Sequence, residues 1–274
     1  FAGLIFPVPV MVKLFGSYWT LVGLGAAYVV ATALVSFLPK DQAPLTTREA
    51  GNFLSRLWTE LKEGWQHIRS SPIISFSMLH MTTATTLILI LSVIASPYVK
   101  RVLGIRADDA VYILAPAGIG VALGVILAPR LASRIPRPRL INVGMVAMAV
   151  CLMAFGSANG VGRYLAGGLP EQFVLQWLLA VVILLAFFMG LAFAFITIPA
   201  QTILQERTPI SLRGKVLATQ LTMGNVATIF PIIFVGGLAD LFGIAQIIIL
   251  TGLVVLCIGL FSLRHYRWMF ATAG

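Results

Sequence analysis

The sequence predicts an all-α fold that threads a lipid bilayer repeatedly, and three observations carry that reading. Of 274 residues, 59% are hydrophobic and only 10% charged, whereas a soluble domain carries about 25% charged residues. Apolar runs of roughly 20 residues recur along the chain, the length needed to cross a hydrocarbon layer about 30 Å thick. Lipid offers a backbone no hydrogen bonds, so each crossing segment must satisfy its own N–H and C=O groups as a helix.

Eight apolar segments follow in order: 1–15, which is short, then 18–38, 73–98, 108–134, 138–157, 172–204, 213–236 and 243–263. The chain opens "FAGLIFPVPV", with no initiating Met and no charged stretch before the apolar run. That is not the pattern of a signal peptide. It reads as a chain entered partway through a helix, with further sequence expected upstream.

Charge placement tests the alternation that eight crossings require. Lys40, Arg48, Arg56, Lys62, Arg69, Arg130, Arg134, Arg137, Arg139, Arg207, Arg213, Lys215, Arg264 and Arg267 fall on one side. Only Lys13, Lys100, Arg101, Arg106 and Arg163 fall on the other. Basic residues collect in cytoplasmic loops, so the first side is expected to be cytoplasmic. The formal net charge of +10 is explained in this way without nucleic acid as a partner. The stretch "QERTPISLRGK" becomes a short cytoplasmic hairpin, with Pro209 ending one helix and Arg213 opening the next.

The longest connection, 39–72, has a pattern of its own. Thr46 and Glu49 match a capping box. Leu54, Leu57, Leu61, Trp65 and Ile68 recur at helical spacing, with Arg56, Lys62 and Arg69 elsewhere on the wheel. This is the pattern of an amphipathic helix on the inner membrane face, ended by Pro72.

Polar residues inside the spans are unevenly spread. The fifth span, "LINVGMVAMAVCLMAF", and the eighth, "IIILTGLVVLCIGLF", are nearly all apolar and are expected to face lipid. In the third, Ser75, Thr82, Thr85, Ser92 and Ser96 keep to one helix face, and His80, Thr83 and Thr86 add to it. The seventh carries Thr219, Gln220, Thr222, Asn225 and Thr228. Intramembrane polar groups turn toward protein or water, so the third and seventh spans are expected to face an interior. The simpler alternative for each hydroxyl is a bond to its own helix or to a neighbouring one. For His80 the alternatives are a structural histidine and a proton-linked one.

Gly120, Gly124 and Ala128 are spaced by four on the fourth span, which lets two backbones approach closely. Pro116, Pro199 and Pro231 are candidate helix breaks beside a cavity. Cys151 and Cys257 sit inside apolar runs and form no ligand cluster. The sequence contains no Gly-x-x-x-x-Gly-Lys loop, His-Glu-x-x-His, Gly-x-Ser-x-Gly or intramembrane carboxylate pair. An enzymatic reading therefore has no acid–base pair to rest on.

Several stretches are specific enough to resemble a family. "WTELKEGWQHIRSSPII" resembles the linker entering span seven of the major facilitator superfamily, and "LAPRLASRIPRPRLI" resembles the basic loop between its spans eight and nine. "IPAQTILQERTPISLRGKVLA" and "GGLADLFG" resemble the end of span ten through span twelve, and are similar to bacterial macrolide and siderophore exporters. The resemblance implies the last two spans of an N-terminal bundle over 1–38, a cytoplasmic linker over 39–72, a C-terminal six-span bundle over 73–264, and a cytoplasmic tail over 265–274.

It also implies a bacterial inner-membrane efflux transporter working by alternating access on an amphipathic small molecule. The partners it implies are the bilayer and the missing N-terminal bundle of the same chain; no cofactor is called for beyond a proton gradient. On this reading Thr82, Thr86, Phe193 and Asn225 line the substrate cavity, and His80 is the proton-linked candidate. Arg130, Arg134, Glu206 and Arg213 form a cytoplasmic charge latch. Two departures stand out: Ser133 occupies a position where the family places Asp before Arg, and "GLIFPVPV" does not match the antiporter signature. The rival reading is a non-transporting, scaffold-like membrane protein.

Overall fold

The computed structural model describes residues 7–37, 53–101, 111–165 and 171–271. Among these residues eight helices run in order: α1 Pro7–Ser36, α2 Phe53–Ser70, α3 Pro72–Arg101, α4 Val111–Ala132, α5 Arg137–Leu165, α6 Glu171–Arg207, α7 Ile210–Phe242 and α8 Ile244–Ala271. All except α2 are long and apolar enough to cross a membrane. The described residues contain no strand. The expected capping box at Thr46 and Glu49 lies outside them.

The segments expected as separate spans over 1–15 and 18–38 are joined in α1 across Gly16, whose φ of 80° is non-helical. Its described part before that break, residues 7–15, is shorter than a crossing, which leaves seven candidate spans where eight apolar segments were counted. The α2 amphipath forms as its spacing predicts. Ile68 is buried, and Trp58 is exposed. Its partner is α7: Gly64 sits so close that an added Cβ would strike the Thr219 hydroxyl and come within 2.9 Å of the Lys215 carbonyl. Pro72 then starts α3 after the single intervening residue Ser71, and the Ser75 hydroxyl donates to the Ile68 carbonyl at 2.6 Å across the corner.

Glycine sets the spacing of the bundle. A Cβ at Gly120 of α4 would strike the Phe187 carbonyl of α6, and one at Gly190 of α6 would strike the Ala117 carbonyl of α4. One turn on, Gly124 packs on Ala194. The four-residue spacing read from the sequence is therefore a backbone-to-backbone seam. α5 packs the same way on both sides, with Gly144 against Ala192 and Ile196 of α6, and Gly156 against Ala245 and Ile249 of α8.

This packing overturns one expectation. The apolar fifth span, α5, is the most enclosed helix, with 56% of its apolar window buried, against 17% for the polar-striped α7. Ile141, Met145, Met148 and Leu152 of α5 centre the core with Val182 and Ile196 of α6 and Ile248 of α8. Lipid tails are as apolar as leucine, so an apolar helix is equally at home against lipid and against other apolar helices. The expected proline breaks also do not form: α4, α6 and α7 continue through Pro116, Pro199 and Pro231. Each proline removes one backbone donor, and the surrounding helix holds.

The α4–α6 seam generates a prediction. Gly190→Ala should lower the thermal midpoint of the purified protein by several degrees, in line with the roughly 1–3 kcal/mol or more that overpacking costs. Gly237→Ala, where nothing lies within 4 Å, should leave it unchanged, as a detergent melt will show.

Candidate functional site

Most hydroxyls on α3 are used locally. Ser77, Thr83, Thr85 and Ser92 each donate to the carbonyl four residues back, at 2.8–2.9 Å. For these the simpler reading of a span hydroxyl holds. Thr86 differs: its Oγ1 lies 2.9 Å from Thr228 Oγ1 of α7. Thr228 donates its own proton to the Gly224 carbonyl at 2.7 Å. A hydroxyl has one proton, so Thr86 is the donor to Thr228 and keeps acceptor capacity of its own.

Thr82, one turn before Thr86 and half-buried, faces Gly224, whose missing side chain leaves a notch beside it. Gln220, a turn further along α7, is buried with its Nε2 on Met81 Sδ at 3.3 Å. α3 and α7 thus share a polar seam built from Thr82, Thr86, Gln220, Gly224 and Thr228. Gln220 and Thr228 were visible in the sequence as part of a stripe; pairing across the seam singles them out.

Asn225 follows Gly224 and stands exposed on the flank of α7, together with Thr222. Around them Leu221, Met223, Val226, Ile229, Phe230, Ile233 and Phe234 form a broad exposed apolar face. Phe193 is not part of this surface. It is 6% exposed and packed in the core, because its place on α6 turns it toward the other helices. The structure therefore joins Thr82 and Thr86, sets Asn225 beside their seam, and separates Phe193 from them. His80 is also buried; its ring stacks on Phe76 with centroids 4.2 Å apart, and Nδ1 lies 2.8 Å from the Phe76 carbonyl.

At the end of the bundle holding the α4–α5 and α6–α7 turns, Glu206 takes a two-pronged ion pair from Arg137, Nη1 on Oε2 and Nη2 on Oε1, the latter at 3.0 Å. Arg137 opens α5 immediately after Pro136. Sequence reasoning had named Arg130, Arg134 and Arg213 as partners for Glu206. Arg130 and Arg134 stand exposed in the turn region, and Arg213 Nε donates to the Thr208 carbonyl at 3.2 Å, closing its own turn. Four arginines crowd "PRLASRIPRPR", and only backbone direction selects the one at a helix start. Ser133 donates to the Arg130 carbonyl at 2.6 Å, a local cap in place of a charge contact. A second ion pair, Lys215 to Glu63 at 2.5 Å, ties α7 to α2. Among the described residues no His, Cys, Asp or Glu group is arranged to hold a metal.

The polar seam and the paired charges sit on a chain whose membership is now plain. The sequence profile of the Major Facilitator Superfamily matches residues 3–231, and the chain belongs to that family. It is similar to the uncharacterized MFS-type transporter YfiS of Bacillus subtilis (strain 168), at 24% identity over 241 residues, covering 86% of this chain and 53% of that protein. The chain spans about half the length of this curated relative.

Two measurements test the site geometry. A double-mutant cycle of Thr86→Val and Thr228→Val should give a coupling near 0.6 kcal/mol and below about 1.7, the range for hydrogen bonds between spanning helices. Arg137 and Glu206 are 37% and 52% exposed, so Glu206→Gln should cost stability less than about 1 kcal/mol. Swapping the two charges should recover most of that loss in the same melts.

Proposed function

We propose that this chain is the linker and C-terminal half of a secondary transporter that moves an amphipathic small molecule out of the cell by alternating access. Family membership and coverage of about half of a transporter-type relative support the class. The observation that carries the site is the Thr86–Thr228 bond across α3 and α7, flanked by exposed Asn225. A bond between two helices at membrane depth, next to an exposed polar flank, is what a half-cavity needs: a fixed wall and groups free to meet a ligand.

In this reading Thr82, Thr86 and Asn225 are the cavity's hydrogen-bonding groups. Thr86 already gives its proton to Thr228, so it meets a ligand as an acceptor and favours one carrying O–H or N–H. Asn225 offers both donors and an acceptor. The apolar residues around Asn225 receive the rest of an amphipath, and Phe193 supports the wall from within the core. The N-terminal bundle of the same chain is the partner that closes the cavity.

In this reading the membrane is a bacterial inner membrane and the linker and the 265–274 tail are cytoplasmic, which the excess of basic residues on that side supports. Arg137 and Glu206, with Arg130, Arg134 and Arg213 nearby in sequence, then form the cytoplasmic charge cluster that biases one closed state. His80, the histidine among 67, 80 and 265 that lies in a span, is the proton-linked candidate in this half.

Flux in proteoliposomes made with the complete protein tests the reading. Thr86→Ala and Asn225→Ala are expected to raise KM or lower the maximal rate about tenfold at equal incorporation, the effect of losing one or two polar contacts. Unchanged flux in both variants removes them from the cavity. No flux of any amphipath by the wild type favours the scaffold reading.

A further inference from the structure

Away from the α3–α7 seam, three buried side chains on three different helices hold polar atoms with no partner among the described residues. His80 of α3 is 1% exposed, and its Nδ1 lies 2.8 Å from a carbonyl oxygen. A carbonyl only accepts, so Nδ1 carries the proton and donates, and Nε2 is left with a lone pair. That Nε2 is buried and has no hydrogen-bond partner among the described residues. Asn142 of α5 is 0% exposed with neither amide atom paired, and Ser262 of α8 is 7% exposed with its Oγ unpaired.

Helix register brings two of them face to face. α5 and α8 run antiparallel: Gly252 packs on Leu152 and Met153, and Gly259 packs on Met145 and Val146. Seven residues forward on α8 correspond to seven back on α5. Continued for one more turn, that register sets Ser262 opposite Asn142. Ser262 and His80 in turn line one groove between α3 and α8, about 690 Å³ in volume, whose apolar walls include Leu79, Ile258 and Phe261. The groove reaches Pro72, the first residue of α3. Asn142 lies five residues into α5 from Arg137, and Ser262 two residues before Arg264, so these two are less than two helical turns from the charged end of the bundle.

Buried polar atoms in folded proteins are paired with protein or with ordered water. A water site needs room and two to four polar partners. We propose that His80, Asn142 and Ser262 bind a small water cluster that enters along the α3–α8 groove from the linker end of the bundle. The donor and acceptor inventory fits. Water donates to His80 Nε2 and to Asn142 Oδ1, and accepts from Asn142 Nδ2 or the Ser262 hydroxyl. None of the three side chains carries a fixed charge, which suits a neutral ligand, and the apolar walls confine it to the groove floor. This site rests on the packing of α3, α5 and α8 and is independent of the transport reading.

Exchange of the histidine C2 hydrogen for deuterium, read by mass spectrometry on the complete protein in lipid nanodiscs, reports water at His80 with no substitution. The His80 peptide is expected to exchange within about tenfold of the same peptide in the denatured chain, since access and not global unfolding sets the rate. A second readout uses thiol chemistry, which needs the hydrated thiolate. With Cys151 and Cys257 changed to Ala, Ser262→Cys should react with a polar maleimide about tenfold or more faster than Val254→Cys, on the exposed apolar face of the same helix. The proposal stands only if both results hold. A silent His80, or a Ser262→Cys no faster than Val254→Cys, means a dry junction in which Asn142 and Ser262 bond directly, and overturns it.

Discussion

Between helices surrounded by lipid tails, apolar area gives little net drive to associate, because the solvent is as oily as the side chains. What remains is dispersion, which grows only as atoms come into close contact. In this chain that contact is concentrated where one helix backbone sits on another through glycine. Gly120 and Gly190 lock α4 to α6, Gly144 joins α6 to α5, and Gly156 and Gly252 join α5 to α8. The resulting chain of contacts makes α5 and α6 the centre of the bundle and leaves α7 attached mainly through α3, α2 and its short turn into α8. Gly243, with φ of 93°, makes that turn in a single residue, its N–H bonded to the Ala239 carbonyl at 3.1 Å.

The weakly enclosed position of α7 has a chemical counterpart. A helix joined to two neighbours through glycine seams, as α5 is, has little place for polar side chains on those faces except as buried groups needing partners, and its apolar window carries few. α7 has one side on α3 and another left open, so it holds both kinds of polar residue: Thr228 and Gln220, bonded across to α3, and Thr222 and Asn225 on the open flank. The sorting of polar groups along one helix follows from which of its faces meets a neighbour.

Much of this architecture was legible from the residues. Span length and composition determine the helices because lipid permits a lone segment no other way to satisfy its backbone. The α2 amphipath and the α4 small-residue seam were readable from spacing alone, since 3.6-residue geometry stacks positions four apart on one face. Lipid-facing and core-facing apolar helices were not distinguishable, and α5 was misassigned for that reason: valine and methionine are as compatible with acyl chains as with each other. Partner choice among clustered arginines was equally hidden, because Arg134 and Arg137 differ only in where the turn points them. Phe193 and Asn225 looked alike as members of a cavity, yet a helix rotation of a fraction of a turn puts one in the core and the other on the flank.

The attachment of α2 to α7 carries one more consequence. Gly64 lies beneath Thr219 with no room between them, and the Glu63–Lys215 contact bolts the same two turns together from the side. The α2 helix is thus an outrigger of α7. Any tilt of α7 carries α2 with it, along with Trp58 and Lys62 at its rim. A pull on the open flank of α7 would be felt, by this lever, at the chain's linker helix.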